Sequence, residues 1–190
     1  MQRQRAAFRE AMPEFDPTAL IFVDESGSNQ AMARAYGRAP RGQRAPGAKP
    51  VQRGPHVTMV GALGVVGVVA AMMVDGFVDG DAFLAFVQEV LVPQLRPGQV
   101  VGRDHLNAHQ VAGVREAIAA VGARLLSLPP DAPDFSPLEA CWSTIKPILR
   151  TKAARTLTRL WQAITEAFAA ITSQEAQGWL THAGYRVQSN

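Results

Sequence analysis

The sequence predicts an α/β fold in which an antiparallel part leads and parallel connections through helices follow. Short apolar segments of strand length alternate with segments of helical spacing, in the order strand, hairpin, helix, strand, helix, strand and then helices. Two strands joined by a short turn are antiparallel, whereas strands joined through a helix are parallel. After Glu139 the chain is predicted to be helical throughout, which gives the sheet a helical C-terminal part.

Length and composition are typical of one globular domain, with or without an appendage. The chain has 190 residues, of which 47% are hydrophobic and 18% are charged. Its single cysteine, Cys141, excludes an internal disulfide framework and a cysteine zinc site, and it predicts a reducing, cytoplasmic compartment. Residues 1–17 lack an apolar core segment, so they are not a secretory signal and are expected to form an exposed lead-in, helical over residues 4–12.

The first predicted strand covers residues 18–23 and stops at Asp24, which is followed by Glu25, Ser26 and Gly27. An acid just past an apolar strand is a common ligand or catalytic group, because the rigid sheet aims its side chain. The same residues are also typical of an acid that caps a turn. From this segment alone, both interpretations of Asp24 stay open.

Residues 30–55 are rich in Arg, Gly and Pro and have no periodicity, which predicts a long ordered loop, here called the arm. The arm contains no acid, and residues 140–165 form a second acid-free, basic stretch. Together they supply the candidate DNA-binding residues Arg34, Arg38, Arg41, Arg44, Lys49, Arg53, Lys146 and Arg150. Such clusters suit a polyanion bound through its phosphates, although a solvated basic face would have the same composition.

Residues 56–74 are the most apolar stretch, and the eighteen residues from Val57 reach the lower bound for a membrane span. Glycines recur through it at positions 61, 64 and 67, and valine is abundant. Two strands that turn near residues 64–67 fit this composition better than a membrane helix. The sequence therefore favours a hairpin and no membrane contact.

The second half alternates helices and strands. Residues 79–95 have helical spacing, residues 99–101 form a short strand leading to Asp104, and residues 110–121 and 123–128 are predicted as a helix and a strand. Three helices follow, from residue 136 or 137 towards 150 with a bend at Pro147, then over residues 156–171 and 173–183. A threonine can cap the second of these.

A proline-rich loop, residues 129–137, precedes Glu139, and thirty-four residues separate Asp104 from Glu139. Its four prolines fix φ and remove backbone donors, so the loop is stiff and can hold a carboxylate accurately at the start of the next helix. We assign Asp134 to capping that helix, which is expected to begin around Ser136.

Asp24, Asp104 and Glu139 come from separate elements and are expected to meet at one edge of the sheet. Such a cluster is costly through mutual repulsion unless divalent cations neutralise it. Mg²⁺ prefers hard oxygen ligands and keeps positions for water and phosphate. Two such ions about 4 Å apart serve phosphoryl transfer by activating the attacking oxygen and stabilising the leaving one. The acids therefore predict a site for two Mg²⁺ ions, with Mn²⁺ as the alternative cofactor.

Several motifs resemble the catalytic domain of mariner-like DDE transposases, in their bacterial insertion-sequence branch. The matching segments are residues 22–26 (FVDES), 104–109 (DHLNAH), 128–130 (LPP) and 133–139 (PDFSPLE) with Trp142. Residues 32–42 and the closing pattern up to Tyr185 are similar too. The resemblance covers roughly residues 18–185, and it divides the chain into a lead-in (1–17), a catalytic domain (18–185) and a tail (186–190).

The resemblance implies a ribonuclease H-like mixed sheet flanked by helices, with Asp24, Asp104 and Glu139 as the catalytic and metal-binding triad. It implies cleavage of DNA at insertion-sequence ends, with water as nucleophile, and joining of the freed 3′-hydroxyl to a target. No covalent protein intermediate is needed, so Cys141 is assigned to packing. The implied partners are DNA, a second copy in a DNA complex and a separately encoded N-terminal helix-turn-helix half. The implied location is the bacterial cytoplasm, at the nucleoid when bound to DNA.

Three departures from the family pattern flank the triad. His105 stands where the family usually has Asn, Gly102-Arg103 replaces an apolar strand end, and Asp131-Ala132 replaces a tyrosine and a serine. At position 105 a protonated histidine is expected to repel the metal, whereas a neutral one is expected to become an extra ligand that favours Mn²⁺ or Zn²⁺ over Mg²⁺. We therefore expect weak Mg²⁺-supported activity, with Mn²⁺ the better cofactor. His109 matches a family histidine, which either hydrogen-bonds a ligand or phosphate or is structural. The alternative function is an inactive remnant that only binds DNA or a partner transposase.

Overall fold

A single mixed sheet organises the computed structural model, which describes residues 2–104 and 112–187. Its strands are β1 (Leu20–Asn29), β2 (His56–Gly64), β3 (Gly67–Asp75), β4 (Val100–Arg103) and β5 (Arg124–Ser127), in the spatial order β3-β2-β1-β4-β5. The first three strands pair antiparallel, and β4 is parallel to both β1 and β5. The predicted α/β class, with its antiparallel lead and parallel continuation, is confirmed.

The predicted hairpin is also confirmed, with β2 and β3 joined by a turn over residues 65 and 66. Gly67 has φ +109°, a conformation that glycine adopts without strain. The prediction that the first strand stops at Asp24 is wrong. Pairing with β2 runs from Phe22 opposite Leu63 to Asn29 opposite His56, and this ladder overrides the turn-like composition that follows Val23.

The helices are α1 (Gln2–Ala11), α2 (Gly80–Ala85), α3 (Val114–Ala120), α4 (Leu138–Lys152), α5 (Leu157–Ala169) and α6 (Ser173–His182). A π-helical segment (Phe86–Leu91) and a 3-10 turn (Val92–Gln94) extend α2, which accounts for the helical spacing over residues 79–95. In the described part of the chain, α3 begins at Val114, whereas the sequence predicted a helix from residue 110. Gly113, with φ +97°, is the N-cap residue of α3. Thr156 caps α5 as expected.

Helices cover both faces of the sheet. The apolar side chains of α4, α5 and α6 pack with Phe22 and Met59 on one face, whereas those of α2 and α3 pack with Ile21 and Val23 on the other. Because side chains alternate along a strand, Asp24 is on the same face as Phe22, towards α4. No helix in the described part of the chain is long and apolar enough to cross a membrane.

The N-terminal segment is helical, but it is not wholly exposed as expected. Met12 is buried, and Phe8 and Phe15 pack against the core on the side of α4 to α6. The arm contains no helix or strand. The first helix is therefore part of the packed structure, whereas the arm connects β1 to β2 as an irregular loop.

Candidate active site

Asp24, Asp104 and Glu139 line one cavity of about 280 Å³. Asp24 lies within β1, Asp104 follows β4 directly, and Glu139 is in the first turn of α4. The remaining wall comes from Val23, residues 128–133 of the proline-rich loop, and Ser136. Three acids from three elements thus face one space.

The register of the parallel strands explains why two of the acids are neighbours. Val23 of β1 is opposite Arg103 of β4, and each is followed by an aspartate. Since parallel strands run in the same direction, the next residue on each is again side by side. The strand pairing alone therefore places Asp24 beside Asp104.

Asp24 is held by two hydrogen bonds. The backbone N–H of Glu25 donates to Oδ1 at 2.8 Å, and Trp142 Nε1 donates to Oδ2 at 2.9 Å. Burial nevertheless raises the pKa of Asp24 to about 6, and the negative charges of Asp104 and Glu139 add to the increase, while the two hydrogen bonds oppose it. The contact with Trp142, 118 residues away, was not predicted from the sequence, although Trp142 belongs to the motif that carries the resemblance.

The donor set suits a divalent cation, but the arrangement is open. Within residues 2–104 and 112–187, no three His, Cys, Asp or Glu side chains lie close enough together to hold one ion. The three carboxylates are the hard oxygen donors that Mg²⁺ and Mn²⁺ prefer, and the pKa of Asp24 is raised mainly by burial, with a smaller contribution from the charges of Asp104 and Glu139. The residues fit such a cation chemically, because Asp104 is the neighbour of Asp24 across the strands and Glu139 lines the same cavity.

Asp134 does not cap α4, so that prediction is wrong. The helix begins after Pro137 without a side-chain cap, and both oxygens of Asp134 accept hydrogen bonds from Arg5 Nη2, at 2.9 and 2.8 Å. The Asp134 carboxylate therefore binds the Arg5 guanidinium of α1 and not the backbone N–H groups at the start of α4. Asp131 lines the cavity with φ +50°, a conformation that aspartate tolerates better than most residues.

The predicted DNA-binding residues cluster where the arm faces the C-terminal part of α4. Arg34, Arg38 and Arg150 line one open groove, and Lys49, Arg53, Lys146 and Arg150 line a second. Arg41 and Arg44 are exposed on the arm and line neither groove. Arg155 Nη1, which was not predicted, donates to the carbonyl oxygens of Gln30 and Met32 at 2.7 and 2.9 Å and so fixes the start of the arm.

Gly102 and Arg103, which depart from the family pattern just before Asp104, have different surroundings in the structure. A Cβ at Gly102 would lie 2.9 Å from the ring of Phe22, so glycine is what this packing allows. Arg103 is buried, and its Nε and Nη1 atoms have no hydrogen-bond partner among the described residues. Burial is also the main cause that lowers the pKa of Arg103. His105 and His109 lie outside the described residues.

Comparison with known proteins gives a family and a fold. The family model described as DDE superfamily endonuclease matches residues 19–160. Among curated proteins, no sequence matches the chain.

Several similar solved structures are of Mos1 transposase. A Mos1 paired-end complex with the left transposon end has a TM-score of 0.79 at 14% identity, covering 95% of this chain and 57% of the other. The Mos1 strand transfer complex has a TM-score of 0.72 at 14% identity, covering 96% and 56%. The catalytic domain of Mos1 mariner transposase has a TM-score of 0.57 at 12% identity, covering 99% and 97%. The ribonuclease H-like fold is confirmed, and the chain spans just over half of the longer Mos1 chains.

Proposed function

Because this chain belongs to the DDE superfamily endonuclease family, we propose that it is the catalytic domain of a mariner-like transposase. It would cut DNA at insertion-sequence ends and join the freed 3′-hydroxyl to a target. The observation that carries this proposal is the shared cavity of Asp24, Asp104 and Glu139, which come from β1, the end of β4 and the first turn of α4. We assign the catalytic domain to residues 18–185, with residues 1–17 as lead-in and 186–190 as tail.

The three acids would hold divalent cations, for which Mg²⁺ and then Mn²⁺ are the first candidates. When bound, such cations activate an attacking oxygen and stabilise a leaving one. Support comes from the oxygen donor set and from similar folds solved as Mos1 complexes with Mg and with Mn. Trp142 keeps Asp24 in one orientation, so that this carboxylate is already aimed at the cavity before a substrate arrives.

The basic grooves supply the DNA-binding surface in this proposal. Lys146 and Arg150 on α4 face the arm, and both lie on the helix that carries Glu139. Phosphates in these grooves would direct a DNA backbone towards the cavity, with little preference for sequence. Pairing with a second copy and with a separately encoded helix-turn-helix half is part of the same proposal, because DNA ends must be recognised by another element.

A catalytically inactive DNA-binding remnant is the second candidate. It is favoured by the open arrangement of the acids among the described residues, where no three ligands are close enough to hold an ion. It is also favoured by His105, whose imidazole would repel a cation when protonated. Both candidates use the same fold and the same basic grooves.

Nicking of a supercoiled plasmid separates the two candidates. We expect the unmodified chain to nick weakly with Mg²⁺ and better with Mn²⁺, and His105→Asn to improve the activity with Mg²⁺. Asp104→Ala provides the blank, because it removes one of the three acids while leaving the grooves intact. If the unmodified chain and His105→Asn both match that blank in either metal, also with an upstream DNA-binding half supplied, the enzyme proposal fails and the remnant is supported.

A further inference from the structure

An arginine from the first helix holds the loop that forms one wall of the candidate active site. Arg5 Nη1 donates to the carbonyl oxygen of Asp131 at 2.9 Å, and Nη2 donates to both carboxylate oxygens of Asp134. The guanidinium also lies over the ring of Phe135, 5.2 Å from its centroid. One side chain therefore contacts three groups of the proline-rich loop.

The rest of α1 reinforces this contact. Phe8, one turn along from Arg5, packs against Phe135 with the ring centroids 5.0 Å apart. Arg9 contacts the same two residues, with its carbon Cζ 5.5 Å from the Phe135 centroid and Nη2 3.7 Å from Asp134 Oδ2. Positions 5, 8 and 9 share one helical face, so the contact uses a continuous side of α1.

The loop depends on such contacts because it has few backbone ties of its own. Prolines at positions 129, 130, 133 and 137 provide no N–H donors. Asp131 adopts φ +50°, which must be stabilised by its surroundings. Tyr185 is a further tie from outside the loop, since its hydroxyl donates to the carbonyl of Phe135 at 2.9 Å. Asp131, whose carbonyl accepts a hydrogen bond from Arg5, and Ala132 line the same cavity as the acids.

We propose that Arg5 is a positioning residue for the DNA-cleavage reaction. It holds the Asp131–Asp134 segment in place, and this segment forms a wall of the acid-lined cavity. The inference rests on the proposed function, and it extends the working site beyond residues 19–160, the range that the family model matches. Without Arg5, the prolines would still keep the loop stiff, but the loop would shift relative to Asp24 and Glu139.

The test combines plasmid nicking with hydrogen exchange. Arg5→Ala should lower the nicking rate at saturating DNA by about tenfold, because a shifted wall misplaces the reacting groups, and it should leave the KM for DNA unchanged. Amide exchange over residues 131–139, measured without metal or DNA, should become about tenfold faster. Arg3→Ala is the matched control, since Arg3 is an exposed arginine of the same helix and should change neither quantity.

Further variants separate this role from the alternatives. Asp134→Ala should cause part of the Arg5→Ala effect, because it breaks the contact between Arg5 and Asp134 and also removes the carboxylate near Arg9. The double variant should lose less than the sum of the two single effects, because the contact between Arg5 and Asp134 can be lost only once. A raised KM with an unchanged rate would make Arg5 a DNA contact and overturn the proposal. A lowered unfolding midpoint with unchanged exchange and rate would make it merely structural and also overturn it. If neither the unmodified chain nor His105→Asn nicks in either metal, also with an upstream DNA-binding half supplied, the proposed function fails, and unchanged exchange in Arg5→Ala would separately refute the loop contact.

Discussion

Replacing Asp24 by asparagine should change how the stability of the metal-free protein depends on pH. The pKa of Asp24 is raised from 3.8 to about 6, so between these values the folded state binds a proton that the unfolded state has lost. A carboxyl with a raised pKa contributes its full stability below about pH 3.8, and this contribution is lost as the pH rises through about 6. Asparagine does not titrate, so the variant should lack this loss.

The expected size follows from the two pKa values. The interval between 3.8 and about 6 corresponds to about 3 kcal/mol, at about 1.36 kcal/mol per pKa unit. Asparagine has one acceptor oxygen, whereas Asp24 accepts from both Glu25 N and Trp142 Nε1. The variant therefore leaves one donor unpaired, which costs about 1–3 kcal/mol at every pH. This constant cost lowers the free energy of unfolding of the variant equally at every pH. Only the pH-dependent part of the difference between the two proteins therefore reports on the Asp24 carboxyl.

The assay is urea unfolding in EDTA from pH 4 to pH 8, followed by tryptophan fluorescence. The free energy of unfolding of the unmodified chain, minus that of Asp24→Asn, should fall by about 2.4 kcal/mol over this range, because part of the total is already lost at pH 4. Asp81→Asn, an exposed acid of α2, is the control that keeps Asp24 and should retain the wild-type dependence. Adding Mg²⁺ at pH 7.5 should stabilise the unmodified chain and not Asp24→Asn, since a cation favours the charged carboxylate. A difference that stays constant with pH would refute the argument that burial controls Asp24.

Three further outcomes can be checked directly. Arg150→Ala should weaken DNA binding equally for all sequences and reduce the salt slope by about 1, because Arg150 lines both grooves; an unchanged slope would remove it from the interface. Cys141 should react with a thiol reagent only after unfolding, because it is buried and its pKa is raised to about 12; rapid labelling of the folded chain would contradict this. Gly61→Ala should reduce nicking, because its Cβ would lie 3.0 Å from the Trp142 ring that holds Asp24. Gly178→Ala in α6, where the added Cβ meets open space, should instead raise the free energy of unfolding by roughly 0.5–1 kcal/mol. If the two alanine variants had equal effects on nicking and on stability, the packing argument would be contradicted.

The fold was largely predictable because its signals are local. The glycine-interrupted apolar stretch gave the β2–β3 hairpin, and helical spacing gave α2 with its extension and α4 to α6. The end of β1 was not predictable in this way. Residues 24–29 have the composition of a turn, and they form a strand because β2, which begins at His56, pairs with them.

The candidate site was likewise predictable only where its signals are local in the sequence. The acids could be chosen from their places after apolar runs and from the family motif, and they line one cavity. Long-range partners could not be chosen. Asp134 was assigned to a cap because its neighbours in sequence suggested one, but its partner Arg5 is 129 residues away. The hydrogen bond from Trp142 to Asp24 likewise depends on α4 packing on the sheet, which no local pattern encodes.

The continuation of β1 past Val23 has a consequence for the choice of metal. Asp24 is fixed, because its backbone pairs with Gly61 and both of its carboxylate oxygens accept hydrogen bonds. Asp104 lies beyond the last paired residue of β4, and Glu139 is exposed on the first turn of α4. For a cation in the cavity, Asp24 would be a ligand whose position is set in advance by its strand and its hydrogen bonds. Discrimination between metals by ionic radius would therefore depend on the distances of Asp104 and Glu139 from the Asp24 carboxylate.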